Sequence, residues 1–398
     1  MKKLLSIFLI TFSVTSVAQD SLKVMFHNLL NFPSAGVTRT VHYRKILQYA
    51  QPDVYLVNEL ESEYGADLIL DSSLNIFGTT QYQRSLFING PDTDNCLFYN
   101  TDKLGLLSQY QLTTVLRDIS VYRLYYKAPN LSAITDTIYF WFFSCHLKAG
   151  VNDFEQRKTE ALQIKYYLND IVNQVENVFV GGDFNFYSGF ESGCQALLNQ
   201  GAVQLIDPAN AVGNWSNDWN YSDWHTQSTR TSSFGSGSGG GMDDRFDLIF
   251  VSEDVMSNAN GVTFIPGTFT PLGQDGNHYN DAINSGVNNA APDSVIQALF
   301  WGSDHLPIMM DIALDETAGI PTQKVDYIQV YYSQDAHALN FTTSLERFDL
   351  VLYDMMGRIV FRKNNVEGNV VLPDHLQGVY IWSVISEGKQ RSDRIVIH

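Results

Sequence analysis

The chain has 398 residues, 44% of them hydrophobic, which is enough for more than one domain with a sizeable core. Its formal charge of −18 at pH 7 opposes long-range capture of polyanions and argues against tight, sequence-nonspecific nucleic-acid binding, although bound divalent cations reverse the field locally. Three cysteines, Cys96, Cys145 and Cys194, permit at most one internal disulfide, which excludes a disulfide scaffold; each reads first as a small buried hydrophobe.

The chain opens with Met1-Lys2-Lys3, an apolar run from Leu4 to Phe12, and small residues at Ser16-Val17-Ala18. This pattern predicts a secretory signal peptide over residues 1–18, with Gln19 as the mature N-terminus. Its removal takes Lys2 and Lys3 and moves the charge from −18 to −20. No later stretch approaches the roughly 20 apolar residues of a membrane-spanning helix. The expected product is secreted or held at the cell surface by something other than a helix, and monomeric.

Apolar runs with polar ends then follow in order. Leu22–Asn28 predicts a strand ending in Asn28, and Asp53–Glu59 predicts one ending in Glu59. Ile138–Cys145 leads to His146. Asp153–Asn173 reads as a helix, with Ala161, Ile164 and Leu168 on one face. Arg157 on that helix is expected either to sit in solvent or to brace a phosphate, the former being the commoner case.

The run Asn177–Gly181 closes in Gly182-Asp183-Phe184-Asn185. Strand side chains alternate, so Asp183 and Asn185 are expected on one face, about 7 Å apart. A carboxylate beside a neutral amide donor suits a reaction that orients water while negative charge grows on a nearby oxygen. Asp and Asn also end strands for purely structural reasons, so the pair gains weight only from its company.

Residues 204–245 form an insertion rich in Asn, Trp, Ser and Gly. Its Trp215, Trp219, Tyr221 and Trp224 are equally consistent with a stacking groove and with loop packing. Ser232–Gly241 reads as a flexible loop; it lacks the lysine and helix of a phosphate-cradling one. Asp247 opens another apolar strand, His278 sits in an irregular segment, and Gly302-Ser303-Asp304-His305-Leu306-Pro307 leads into the strand Met309–Leu314. Six predicted strands therefore carry polar or ionisable residues at or beside their ends, where rigid elements give way to loops.

Residues 315–325 look like a linker, and short alternating strands follow in 326–398: Asp349–Val360, Leu376–Trp382 and Ser392–His398. That tail carries nine acids against seven bases, or −2, so −18 of the mature −20 lies upstream of it.

Asn28, Glu59, His146, Asp183-x-Asn185, Asp247 and Ser303-Asp304-His305 occur in the order seen in the endonuclease/exonuclease/phosphatase superfamily, and residues 19–314 resemble its catalytic domain. The resemblance implies an α/β fold, a four-layered sandwich of two mixed β-sheets flanked by helices, and metal-dependent cleavage of a phosphate ester. It implies Asn28, Glu59 and Asp304 as metal ligands, for Mg2+, Mn2+ or Ca2+. His305 would handle the proton with Asp247 fixing its tautomer, Asp183 would orient or deprotonate water, and Asn185 and His146 would donate to phosphate oxygens. Abasic-site endonucleases carry an acid two positions after the first Asn, where this chain has Leu30, which weakens a repair role. The expected activity is an extracellular endonuclease on DNA or RNA, with weak, metal-assisted nucleic-acid binding. The alternatives are a phosphatase or sphingomyelinase-like phospholipase of the same superfamily, and an inactive surface binding protein.

The tail resembles the C-terminal sorting domain of proteins exported by the type IX route, through Tyr353-Asp354-x-x-Gly357-Arg358, Gly378-x-Tyr380 and the basic-apolar end Arg394-Ile395-Val396-Ile397. The resemblance implies a small all-β sandwich domain and the type IX secretion machinery as a partner; a generic β-sandwich binding module is the plainer alternative.

Overall fold

A computed structural model of the protein describes residues 20–128, 137–172, 174–235, 237–315, 328–333, 336–343, 345, 347–354, 358–373, 375–386 and 389–397. The expected signal peptide and residues 316–325 of the expected linker lie outside these. The described residues fall into two compact units, one running from Asp20 to Ala128 and from Ile138 to Asp315, the other made by the C-terminal strands.

The first unit runs β1 (Asp20–Phe32), α1 (Thr40–Ala50), β2 (Val54–Leu60), α2 (Glu63–Ile69), β3 (Tyr82–Arg84), β4 (Asp94–Asn100), β5 (Leu104–Leu112), β6 (Ile119–Tyr126) and β7 (Tyr139–His146). It continues with α3 (Phe154–Asp170), β8 (Val178–Asp183), α4 (Ser192–Asn199), β9 (Leu205–Ile206), β10 (Asp247–Ser252), α5 (Glu253–Ser257), β11 (Val262–Phe264), β12 (Thr270–Pro271), α6 (Asp293–Gly302) and β13 (Ile308–Leu314). One sheet is ordered β11-β13-β1-β2-β4-β3, with β12 also on β13; the other is β5-β6-β7-β8-β10-β9. Each is mixed, because β1 pairs parallel with β2 and β7 parallel with β8 while their other pairings are antiparallel.

Period-two alternation builds the layers. On β1, Leu22, Val24 and Phe26 face the second sheet, and on β7 and β8 Phe140, Phe142 and Phe179 meet them in one buried cluster. Phe142 and Phe179 stack with ring centroids 4.8 Å apart. The opposite faces carry helices. Met25, Tyr55 and Val57 pack under Ile46 and Leu47 of α1 and Ile296 and Leu299 of α6, while Phe143, Val180 and Phe250 pack under Ala161, Ile164 and Leu168 of α3. Each such fully buried large side chain contributes about 1.5–3 kcal/mol. The result is the expected four-layered α/β sandwich.

Gly181 sets how closely the sheets approach: a Cβ there would sit 2.6 Å from the Phe26 ring. All three cysteines are buried and free, Cys145 on the helix-covered face opposite its neighbour His146.

The second unit holds β14 (Ile328–Ser333), β15 (Ala338–Thr343), β16 (Phe348–Tyr353), β17 (Ile359–Val366), β18 (Val370–Val371), β19 (Gly378–Ser386) and β20 (Lys389–Ile397). They form a three-stranded sheet, β14-β15-β18, and a four-stranded one, β17-β16-β19-β20. Leu339 and Val370 of the first share a core with Leu350, Leu352, Trp382 and Val384 of the second. Part of the Tyr-Asp-x-x-Gly-Arg element, residues 355–357, lies outside the described residues.

Candidate active site

The sheet ladders align the polar strand ends. His146 at the end of β7 is in register with Asp183 at the end of β8, and Asp183 is paired with Asp247 at the start of β10. Alternation turns all three towards the other sheet, on the same face as Phe142, Phe179 and Ile249. Across from them, Asn28 of β1 is in register with Asn58 of β2.

Glu59 does not follow the alternation, which would aim it with Val57 into the helix-covered face. A left-handed backbone (φ 55°) and a shift of register between Val57 and Leu60 turn it into the site. Its Oε2 accepts from Asn31 N at 2.9 Å and its Oε1 from Asn28 Nδ2 at 2.9 Å. The second amide proton of Asn28 goes to Asp183 Oδ2 at 3.0 Å, and its Oδ1 accepts from Leu30 N at 2.9 Å. Asn28 thus presents nitrogen to the two carboxylates, where the expected ligand role would need its oxygen.

His146 Nε2 lies 3.4 Å from Asp183 Oδ2 and 3.8 Å from Glu59 Oε1. Burial, with Arg117 and His305 nearby, holds the His146 ring well below the usual histidine range, so it is neutral, and its Nδ1 has no hydrogen-bond partner among the described residues. Burial raises the Asp183 carboxyl to about 7. Glu59, His146 and Asp183 offer ligand atoms within 4.8 Å of one another. An ion about 2.1 Å from each ligand would set neighbouring ligands roughly 3.0–3.4 Å apart, so a small contraction closes this set around a divalent cation. The donor set fits such a group. Asp304 stands outside the three: its Oδ2 accepts from Ser238 N at 2.7 Å, and its buried Oδ1 has no hydrogen-bond partner among the described residues.

His305 Nδ1 faces Asp247 Oδ2 at 2.7 Å, and its Nε2 is 3.7 Å from Asp183 Oδ2. Burial lowers its pKa, but the Asp247 and Asp183 carboxylates outweigh that and hold it well above the usual histidine range. Asn185 lies past the end of β8 in a left-handed turn (φ 52°), so period two does not relate it to Asp183. Instead its backbone N donates to Asp183 Oδ1 at 3.1 Å, and its Nδ2 to Leu147 O at 3.2 Å. One amide proton remains.

Several supporting groups were not legible as such. Asn58 Nδ2 donates to Asn95 Oδ1 at 2.7 Å and Ser144 Oγ at 3.1 Å, and its Oδ1 accepts from Asp183 N at 3.2 Å, tying the sheets together beneath the site. Buried Arg39 donates to the carbonyls of Leu29 and Leu30 (both 2.7 Å) and Gly302 (2.9 Å), fixing the segments that carry Asn28 and Asp304. The glycine-serine loop comes into the site through Ser238, and a Cβ on Gly237 would lie 2.8 Å from Leu30 and 3.0 Å from Asp304. Its small residues are a close-approach requirement as much as a source of freedom.

Other candidates resolve as structure. Arg157 is fully buried and paired with Glu191 at 2.9 Å, which corrects both the solvated and the phosphate-bracing reading. Trp215 is buried with Nε1 donating to Phe186 O, whereas Trp219 is 67% exposed. His278 is held between Asp275 Oδ1 and Ser285 O, both at 2.8 Å.

A buried acid–imidazole cluster at the strand ends of a four-layered sandwich defines a hydrolase-type centre. The chain belongs to the Endonuclease/Exonuclease/phosphatase family, whose pattern matches residues 25–305. Similar solved structures include truncated Caenorhabditis elegans TDP2 (15% identity, TM-score 0.48, covering 74% of this chain and 98% of that one). The human Nocturnin catalytic domain with bound sulfate is similar too (15%, 0.47, 74% and 97%), as is an endonuclease/exonuclease/phosphatase from Beutenbergia cavernae DSM 12333 (14%, 0.41, 94% and 99%). No curated protein matches the chain in sequence.

Metal affinity should weaken as pH falls through about 7, because Asp183 must give up a proton to become a ligand while His146 is already neutral. Calorimetric titration with Mn2+ should show up to about tenfold weaker binding per pH unit below that point. Equal affinity at pH 6 and pH 8 would contradict Asp183 as a ligand.

Proposed function

We propose that the protein is an exported, divalent-metal-dependent phosphodiesterase, and that its preferred substrates are DNA or RNA. The observation that carries this reading is the meeting of Glu59, His146 and Asp183 with the Asp247–His305 pair at one end of the sandwich. A phosphodiester resists attack because its anionic oxygens repel nucleophiles, so that charge must be neutralised while water and leaving group are positioned. When bound, a divalent cation supplies that neutralisation; the imidazole in the set favours Mn2+ over the harder, oxygen-preferring Mg2+ and Ca2+. Asp183 orients or deprotonates the attacking water. Asp247 holds the Nδ1 proton of His305, which directs Nε2 to the substrate for proton transfer. Asn28 keeps Glu59 and Asp183 aligned, and the uncommitted amide proton of Asn185 serves a phosphate oxygen. The acidic chain calls for binding that depends on the cation and on local contacts, with no broad basic patch.

A metal-supplemented screen of the full chain on DNA, RNA, sphingomyelin vesicles and phosphate monoesters tests the substrate class. Cleavage of DNA or RNA is expected. Rapid hydrolysis of sphingomyelin with none of nucleic acid would favour a second reading, a phospholipase. That alternative has its own observation: loops entering or leaving the site ends of β4, β6, β7 and β8 expose Leu86 (73%), Val115 (81%), Val151 (60%) and Phe190 (62%), an apolar rim suited to a lipid surface.

The C-terminal unit is proposed as a type IX sorting domain and residues 315–325 as the linker before it. No catalytic candidate lies there. A chain ending at Leu314 should keep its specific activity and fail to reach the surface or medium of the native host. A folded but inactive truncation would contradict this division.

A further inference from the structure

Gln227 lies in the long insertion, and no motif marks it. Its backbone nevertheless bridges Asp244, three residues before Asp247, on one side and His305 on the other. Asp243 N and Asp244 N each donate to Gln227 O at 3.0 Å, and Gln227 bridges to His305. Its neighbours complete the clamp: Leu306 N donates to Thr226 O at 2.8 Å, Thr226 Oγ1 accepts from Asp247 N at 3.2 Å, and Thr229 N donates to Asp304 O at 3.0 Å. A segment held this firmly places its side chain reproducibly. The Gln227 amide meets His305 Nε2, Nε2 to Nε2, at 2.5 Å.

His305 therefore has a partner on each ring nitrogen, Asp247 on Nδ1 and Gln227 on Nε2. We infer that Gln227 is a positioning residue for His305, the third member of an Asp247–His305–Gln227 chain that fixes the ring plane in the free protein and yields Nε2 to the reacting oxygen when substrate binds. An amide suits this place chemically. Its N–H donates to the neutral ring, and a half-turn offers Oε1 to the protonated ring, so one neutral side chain supports the imidazole on both sides of a proton transfer. A carboxylate would bind only the protonated form, and an apolar side chain neither. Asp183 Oδ2, at 3.7 Å from Nε2, is beyond hydrogen-bond reach. Removing the amide should therefore leave the ring held on one side only.

The inference rests on the role given to His305 above. Three substitutions separate the amide from its bulk: Gln227→Met keeps length without hydrogen bonding, Gln227→Asn keeps the amide but falls short, and Gln227→Ala removes both. With bis(p-nitrophenyl) phosphate and Mn2+, each should lower kcat about tenfold, the rate equivalent of one lost hydrogen bond, with KM within about twofold. Added to His305→Ala, Gln227→Met should cost nothing further, because both act on one step. A Gln227→Met protein with wild-type kcat, or a full additional loss in the His305→Ala background, would overturn the inference. The second measurement needs no turnover. In 15N spectra of the histidine rings, Gln227→Met should shift the His305 Nε2 signal and leave His278 unmoved; an unchanged His305 signal would overturn the contact itself. If the wild-type protein hydrolyses no phosphate ester yet the His305 signal shifts, the functional reading fails while the Gln227 contact stands.

Discussion

Asp183→Asn is expected to lower phosphodiester turnover by about 10²–10⁴-fold, the typical loss for a positioned acid–base group, while making the metal-free protein more stable. The first effect follows from its place in the proposed cation-binding set beside His305. The second follows from burial, which raises its pKa to about 7. A carboxyl whose folded pKa is raised favours the folded state when protonated, and that contribution is lost as pH rises through about 7. At pH 8 in chelator the wild-type chain carries this buried charge, whose desolvation outweighs the hydrogen bonds from Asn28 and Asn185 and the nearby His305, and the amide does not. Thermal unfolding should therefore show a higher Tm for Asp183→Asn at pH 8 and a smaller difference at pH 5. Near-wild-type turnover in the folded variant would remove Asp183 from the mechanism.

His305→Ala should cost a comparable factor. Its ring meets Asp247 through Nδ1, so truncation removes the proposed proton-handling group and leaves the buried Asp247 carboxylate short of a partner. If Asp183 and His305 serve one step, the double variant should be little slower than the worse single one. Strict additivity, measured in a four-enzyme cycle on one substrate, would place them in separate steps.

Much of the scaffold was legible because its signals are local. Apolar runs ending at Asn28, His146 and Asp183 became β1, β7 and β8, and alternation alone puts His146, Asp183 and Asp247 on one face once the ladder aligns them. The helix expected over Asp153–Asn173 is α3, Phe154–Asp170. What was not legible depended on single backbone angles or on partners far along the chain. Period two would send Glu59 away from the site; a left-handed turn brings it back. The same rule pairs Asp183 with Asn185 along a strand that in fact ends at Asp183. Arg157 looks like a surface arginine until Glu191, 34 residues later, is placed beside it. Gln227 and Ser238 lie in a polar, glycine-rich insertion where composition argues only for a loop, and their contacts with His305 and Asp304 exist only in three dimensions.

In the proposed function Glu59, His146 and Asp183 would hold a divalent cation that supplies charge neutralisation for phosphodiester cleavage. Glu59→Gln tests it most directly, because the amide keeps the shape of the side chain and removes the charge a hard dication needs. The measurement is the initial rate of cleavage of a short DNA duplex against Mn2+ concentration, for wild type and Glu59→Gln, beginning from chelated protein. The expected result is no turnover in chelator, saturable activation of the wild type, and a Glu59→Gln curve displaced to much higher metal with partial recovery of rate. Superimposable activation curves, or turnover that survives chelation, would contradict it.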